Sequence, residues 1–250
     1  MIRDTRRDKV YFDEYIEYSS ECIEEDIDDL ITDTSLCPEV KMNISSGIVD
    51  DTINLMHYSY CRGDKLKELI PLLNQALEYR QHLKNYADSL SAKDQKLRII
   101  KEEIREDYLE KWLKWLAFAY CLDMGQAYYL KVLELIANQG QDALLDNIAV
   151  AMGDTDRDIA DTTLFKKRFS KLLKVIEAEP SQRPAAVKAY LDAWYKLYGS
   201  PDSHLLDNDA YSGYWCWEAA LVVKLYNIDD SSFIDHEYYP KDLVHWQAAQ

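Results

Sequence analysis

The residue type with most chemical capacity in this sequence is the carboxylate. Between Tyr11 and Ser35 there are ten acids and no lysine or arginine: Asp13, Glu14, Glu17, Glu21, Glu24, Glu25, Asp26, Asp28, Asp29 and Asp33. Such a cluster can bind metal, move protons or present negative charge to a partner. The di-iron arrangement needs Glu-x-x-His pairs on helices. None of the five histidines (His57, His82, His204, His236, His245) lies in this stretch, and none forms H-E-x-x-H or H-x-H. Asp235-His236-Glu237 has the composition of a metal or acid–base cluster, but three consecutive loop residues rarely converge on one ion. Cys216 stands between Trp215 and Trp217 with no evident base and reads as a core thiol. Glycine-rich phosphate loops and G-x-S-x-G are absent. The sequence therefore predicts no catalytic, metal or cofactor-binding set and no cofactor: the chain is not expected to be an enzyme.

What remains is charge presented to a partner. The 250 residues carry 29 basic and 45 acidic side chains, a net −16. A chain this acidic repels nucleic acid and anionic membranes, so neither is an expected partner, and a positively charged protein is. The charge is segregated: the segment 11–35 supplies −10. Residues 202–239 add Asp202, Asp207, Asp209, Glu218, Asp229, Asp230, Asp235 and Glu237 against Lys224 alone, or −7. Phe165–Lys174 is locally basic. The five cysteines include no C-x-x-C, as expected of unpaired thiols in a reducing compartment. The N-terminal MIRDTRRDKVYFDEY lacks the apolar run of a signal peptide, and no stretch reaches membrane-spanning length. A cytoplasmic location is expected.

These residues must be positioned by helices. Glycines number 7 and prolines 6, too few for turn-rich β architectures. A helix is predicted over Arg6–Thr32. At 100° per residue Phe12, Ile16, Ile23, Ile27 and Leu30 share an arc of about 60°, with the acids opposite. Six like-charge pairs four apart (Asp13/Glu17, Glu17/Glu21, Glu21/Glu25, Glu25/Asp29, Glu24/Asp28, Asp29/Asp33) cost this helix on the order of 1–3 kcal/mol. Interspersed lysines would have relieved that cost. The face is thus expected to meet positive charge, in a partner or in the chain's own Lys166–Lys174. Helices follow at about Asn43–Tyr60, Lys65–Leu90 with a kink or late start at Pro71, and Gln95–Cys121. Others are predicted at Gln126–Asn138, Asp142–Ala151, Thr163–Glu177, Arg183–Tyr198 and Tyr211–Tyr226. The fold class is all-α: an antiparallel helical bundle or irregular helical-hairpin stack without significant sheet. Residues 1–110 form an acidic helical region and 111–250 an aromatic-rich helical domain packed closely on it. Of the aromatic side chains most sit at core spacing. Phe233–Tyr239 reads either as an interface loop or as a wrap back onto the bundle.

The stretch from Gly213 through Trp215, Trp217, Glu218, Ala219, Lys224, Asp229 and Asp230 to Tyr239, Pro240 and Asp242 resembles the PoNi family. These are immunity proteins of polymorphic nuclease toxins. Trp112–Asp123 is similar to the family's tryptophan- and leucine-rich helix, while over the N-terminal half only helical organisation and acidity agree. The resemblance implies a helical protein that silences a cognate DNase of the PD-(D/E)-x-K type, delivered by an interbacterial system such as type VI secretion. The expected partner is that toxin, its basic DNA site occluded by carboxylates standing where phosphates would go. Glu14, Glu17, Glu21, Glu24, Glu25 and Asp28 are the first partner-binding candidates, Asp207, Asp209, Asp229 and Asp230 the second. Two other readings stand beside it. One is an acidic helical-repeat adaptor or secretion chaperone cradling a peptide or protein client; the other is an acidic metal-dependent hydrolase. A homodimer remains open on sequence alone.

Overall fold

The computed structural model describes residues 2–206, 208 and 211–248. Among them every regular element is helical and no strand occurs, so the fold is all-α. No helix among them is long and apolar enough to cross a membrane. The chain divides into two compact units, one of residues 1–103 with 211–213, the other of 104–210 with 214–250.

The first unit is built on three helices. Helix α1, Lys9–Thr32, starts where the Asp8 side chain accepts a hydrogen bond from the Tyr11 N–H at 2.9 Å. Helix α2, Pro38–Arg62, has proline in its first turn and ends on Gly63 at φ 96°, whose N–H caps Ser59 and Tyr60 carbonyls. It begins five residues earlier than the caps at Asn43 suggested, because Pro38 itself fits a first helical turn. Helix α3, Ile70–Asp88, follows a 3₁₀ turn at Leu66–Leu69, and Pro71 falls in its first turn, the late start that proline imposes. α1 packs on α2 and α2 on α3. Phe12 and Ile23 of α1 are buried, and Ile16, Ile27 and Leu30 half-buried, so the inward arc matches the periodicity.

The helix predicted over Gln95–Cys121 is broken. A 3₁₀ turn (Gln95–Arg98) and the single turn α4 (Ile99–Glu102) precede α5, Glu106–Cys121. Glu103 and Arg105 are extended and Ile104 is buried between them. The break contains neither glycine nor proline, so local propensity gave no sign of it. It coincides with the boundary between the units.

The second unit continues with α6 (Gln126–Ile136), α7 (Ala143–Ala151), α8 (Lys166–Glu177), α9 (Arg183–Leu197), α10 (Trp217–Leu225) and α11 (Lys241–Val244). α5 packs chiefly against α10, and α8 pairs with α9. Trp115 is fully buried and donates to the Tyr128 hydroxyl at 3.0 Å, while Phe118 meets Trp217 at 4.6 Å. Two predicted helices start late for visible reasons. Thr163 and Leu164 are held out of α8 by Asp142, which accepts from Thr163 Oγ1 at 2.6 Å and Leu164 N at 2.7 Å. α10 starts at Trp217 and not Tyr211, because Tyr211–Gly213 is extended and belongs to the first unit. There Tyr211 donates to Asp4 Oδ2 at 2.5 Å, and its carbonyl accepts from Tyr11 at 2.7 Å.

Candidate partner-binding surface

α1 fixes its carboxylates by burying the opposite face. Phe12, Ser19 and Ile23 anchor it, Tyr15 stacks on Tyr58 at 4.7 Å, and Tyr11 bonds Tyr211. Glu14, Glu17, Glu21, Glu24, Glu25 and Asp28 are all exposed. At 3.6 residues per turn they span an arc of about 100° and about 21 Å of helix. Among the described residues none of the six makes an ion pair with lysine or arginine. The other acids of the segment are differently placed. Asp13 bonds Lys9 Nζ at 2.7 Å and Arg62 Nη1 at 2.9 Å, and those hydrogen bonds hold its carboxyl below the usual range. Asp33 accepts from Ser35 N at 2.8 Å. Asp26 is half-buried; desolvation first, then Asp29 and Glu25, push its carboxyl up.

The basic segment of α8 does not quench a carboxylate face as a block. Arg168 is buried and pairs within its own unit, with Glu110 at 2.8 Å and Glu106 at 3.8 Å. Lys166, Lys167, Lys171 and Lys174 are exposed, and among the described residues none of them makes an ion pair.

The second candidate group fares unevenly. Asp207 and Asp209 lie outside the described residues. Asp229 is exposed; its carboxylate accepts from Ser231 N at 3.0 Å, and that bond lowers its pKa. Asp230 is not a surface acid. It is buried, and its Oδ2 accepts from the Tyr239 hydroxyl at 2.8 Å and lies 2.7 Å from His245 Nε2. The Asp-Asp pair of the motif thus divides: one carboxylate faces solvent and the other ties the C-terminal turn to the core.

The remaining chemical candidates are structural. Asp235 pairs with Lys241, while His236 turns to Asp192 at 3.5 Å, so the Asp-His-Glu triplet diverges. Among the described residues no three His, Cys, Asp or Glu side chains are grouped to hold a metal. Cys216 is fully buried, and desolvation drives its thiol far above the ordinary value; burial likewise lifts Cys121 to about 12. The loop Phe233–Tyr239 folds back on its own unit: Phe233 and Tyr239 are buried, and Tyr238 stacks on Tyr195 at 5.5 Å.

Sequence reasoning missed the buried polar frame of the second unit. Asp142 caps α7 through Leu144 and Leu145 N–H groups, both at 3.0 Å, besides holding Thr163 and Leu164. Asp146 accepts from Arg157 Nε at 2.6 Å, with both side chains almost wholly buried, and Arg157 also reaches the Ala137 carbonyl at 3.0 Å. Glu218 Oε1 accepts from Tyr190 Oη and Trp194 Nε1, each at 2.8 Å. The only sequence signal was the N-cap position of Asp142; Asp146, Arg157 and Glu218 are separated from their partners by 11–28 residues.

Residues 140–243 match the family model of the PoNe immunity proteins (PoNi), C-terminal. Over these residues the chain is similar to the C-terminal region of the PoNi family, immunity proteins for nuclease toxins that are not themselves catalytic. The match includes the Glu218, Asp142 and Asp146–Arg157 frames and excludes α1. The chain is also similar in fold to a crystal structure of protein PA2201 from Pseudomonas aeruginosa. The TM-score is 0.75 at 20% identity, over 97% of this chain and 89% of that one. A comparison with curated proteins found no match.

Proposed function

We propose that this chain protects the cell that makes it by binding a cognate DNase toxin of an interbacterial secretion system and covering the toxin's DNA site. The supporting observation is the α1 face: six exposed carboxylates on one rigid helix, none neutralised by a described lysine or arginine. A nuclease must hold phosphates on a basic groove, and carboxylates at fixed positions compete for the same cations. Opposed charge of this kind also accelerates encounter, toward 10⁸–10⁹ M⁻¹s⁻¹ at low salt. Asp229 is a second exposed acid available to the toxin; Asp230 has no part in this reading. Inhibition takes place in the cytoplasm, with the toxin as partner and no contact with nucleic acid.

The test is DNA cleavage by the purified nuclease domain of the cognate PoNe toxin, with increasing amounts of this chain. Cleavage is expected to stop near one equivalent and to return as salt is raised, since exposed charge is screened within about 8 Å at physiological ionic strength. Undiminished cleavage at large excess of this chain would refute the reading.

A further inference from the structure

The acidic face of α1 is not purely acidic. Val10, Tyr18 and Ile31 are 61%, 66% and 73% exposed, the large apolar or aromatic side chains of this helix that water reaches most. At 100° per residue Val10 shares its angular position with Asp28, while Tyr18 and Ile31 each lie about 20° outside Glu25 and Glu24. The other tyrosines of the helix point elsewhere: Tyr11 is bonded to Tyr211, and Tyr15 is stacked on Tyr58. Tyr18 makes no ring contact among the described residues. Single exposed apolar residues are ordinary, but these three stand within or beside one carboxylate stripe, Val10 inside it and Tyr18 and Ile31 on its two edges, about 12 Å and about 20 Å apart along the helix axis. A surface that only imitated phosphates would gain nothing from an aromatic ring at its edge.

We infer that Tyr18 is the anchor by which this face docks a protein. Its ring enters an apolar recess within a basic surface, Glu21 and Glu25 meet cations on the rim, and Val10 and Ile31 close the two ends. This rests on the immunity reading and names the chemistry of the toxin surface that the chain selects. Charge decides the occupant. Nucleic acid is repelled, and a second copy of this chain would set carboxylates against carboxylates. A lysine- and arginine-rimmed apolar pocket is complementary to both parts of the face. The two parts act differently: buried aromatic anchors carry most of the binding energy, whereas rim charges govern encounter and salt dependence.

The experiment is calorimetric titration of the full chain with the nuclease domain of the cognate PoNe toxin, its active site inactivated, at low and high salt. Tyr18→Ala, Tyr18→Phe and the double variant Glu21→Lys/Glu25→Lys are compared with the unaltered chain. Tyr18 is exposed, so thermal melting of its variants is expected to be unchanged. Tyr18→Ala should weaken binding about 30-fold with the salt dependence kept, and Tyr18→Phe should retain most of the affinity. The charge reversal should weaken binding most at low salt. If Tyr18→Ala binds within about threefold of the unaltered chain while the charge reversal weakens it, the anchor is overturned and the face stands. If neither variant weakens binding, anchor and face are both overturned, and the immunity reading survives. Failure of the unaltered chain to bind the nuclease overturns that reading and this inference together.

Discussion

At the scale of single residues, position in the fold and not residue type decides which carboxylates can meet a partner. Asp229 and Asp230 are adjacent, yet one is exposed and the other is enclosed by Tyr239 and His245. Sequence could place both on the same acidic turn but could not assign their exposure, because the partners of Asp230 lie nine and fifteen residues away. The buried Asp146–Arg157 pair was equally invisible. Asp146→Ala leaves the Arg157 guanidinium buried beside only the part-exposed Asp154, 3.3 Å away, and the Ala137 carbonyl. Removing one member of such a pair costs about 3–5 kcal/mol. Chemical denaturation should show a loss of that size, with binding to the toxin retained wherever the variant remains folded. Gly213 is a second such position. Its φ is 103°, and a Cβ there would stand 2.6 Å from Cys61 Sγ and 2.7 Å from His57 Nε2. Gly213→Ala should destabilise the chain by about 1–3 kcal/mol, read as a lowered thermal midpoint.

At the scale of elements, α1 was the most legible part of the molecule. Its apolar arc, acidic face and length follow from periodicity alone, since an amphipathic helix repeats its pattern over several turns. The break at residues 103–105 and the extended Tyr211–Gly213 were not legible. Helical propensity continues through both, and tertiary packing of Ile104 and Tyr211 overrides it. The like-charge repulsion along α1 has a measurable consequence. Glu21→Lys with Glu25→Lys turns two i,i+4 repulsions, with Glu17 and Asp29, into attractions and leaves one like-charge pair between the new lysines, so the double variant should melt higher by about 1 kcal/mol of stability while binding the toxin less well. A lower melting point would contradict the view that this face is maintained against stability. Asp26 gives a pH-dependent counterpart. Its folded pKa is raised, by burial first and then by Asp29 and Glu25, so the folded state favours its protonated form. That contribution is present below the ordinary carboxylate pKa and is lost as pH rises through the raised value. Asp26→Asn should therefore raise the thermal midpoint at pH 7 and leave it nearly unchanged near pH 3.

At the scale of the whole molecule, two kinds of information sit in different parts of the chain. Residues 140–243 carry the family match and a frame of buried polar contacts, whereas α1 carries the exposed charge and three exposed apolar or aromatic side chains within and beside it. The C-terminal motif was recognisable in sequence because its tryptophans, Glu218 and the Tyr-Pro turn hold the fold, and such packing constraints recur at fixed spacing. The surface proposed for binding has no comparable signature: it is a solvent-exposed helix face that no packing contact constrains. The function proposed for this chain is neutralisation of a nuclease. It is tested most directly by expressing the nuclease domain of the cognate PoNe toxin in a naive cell, with and without this chain, and following growth and chromosomal DNA. The account predicts growth and intact DNA only when both chains are made, and their co-purification. Degraded DNA and arrested growth despite full expression of both chains would contradict it.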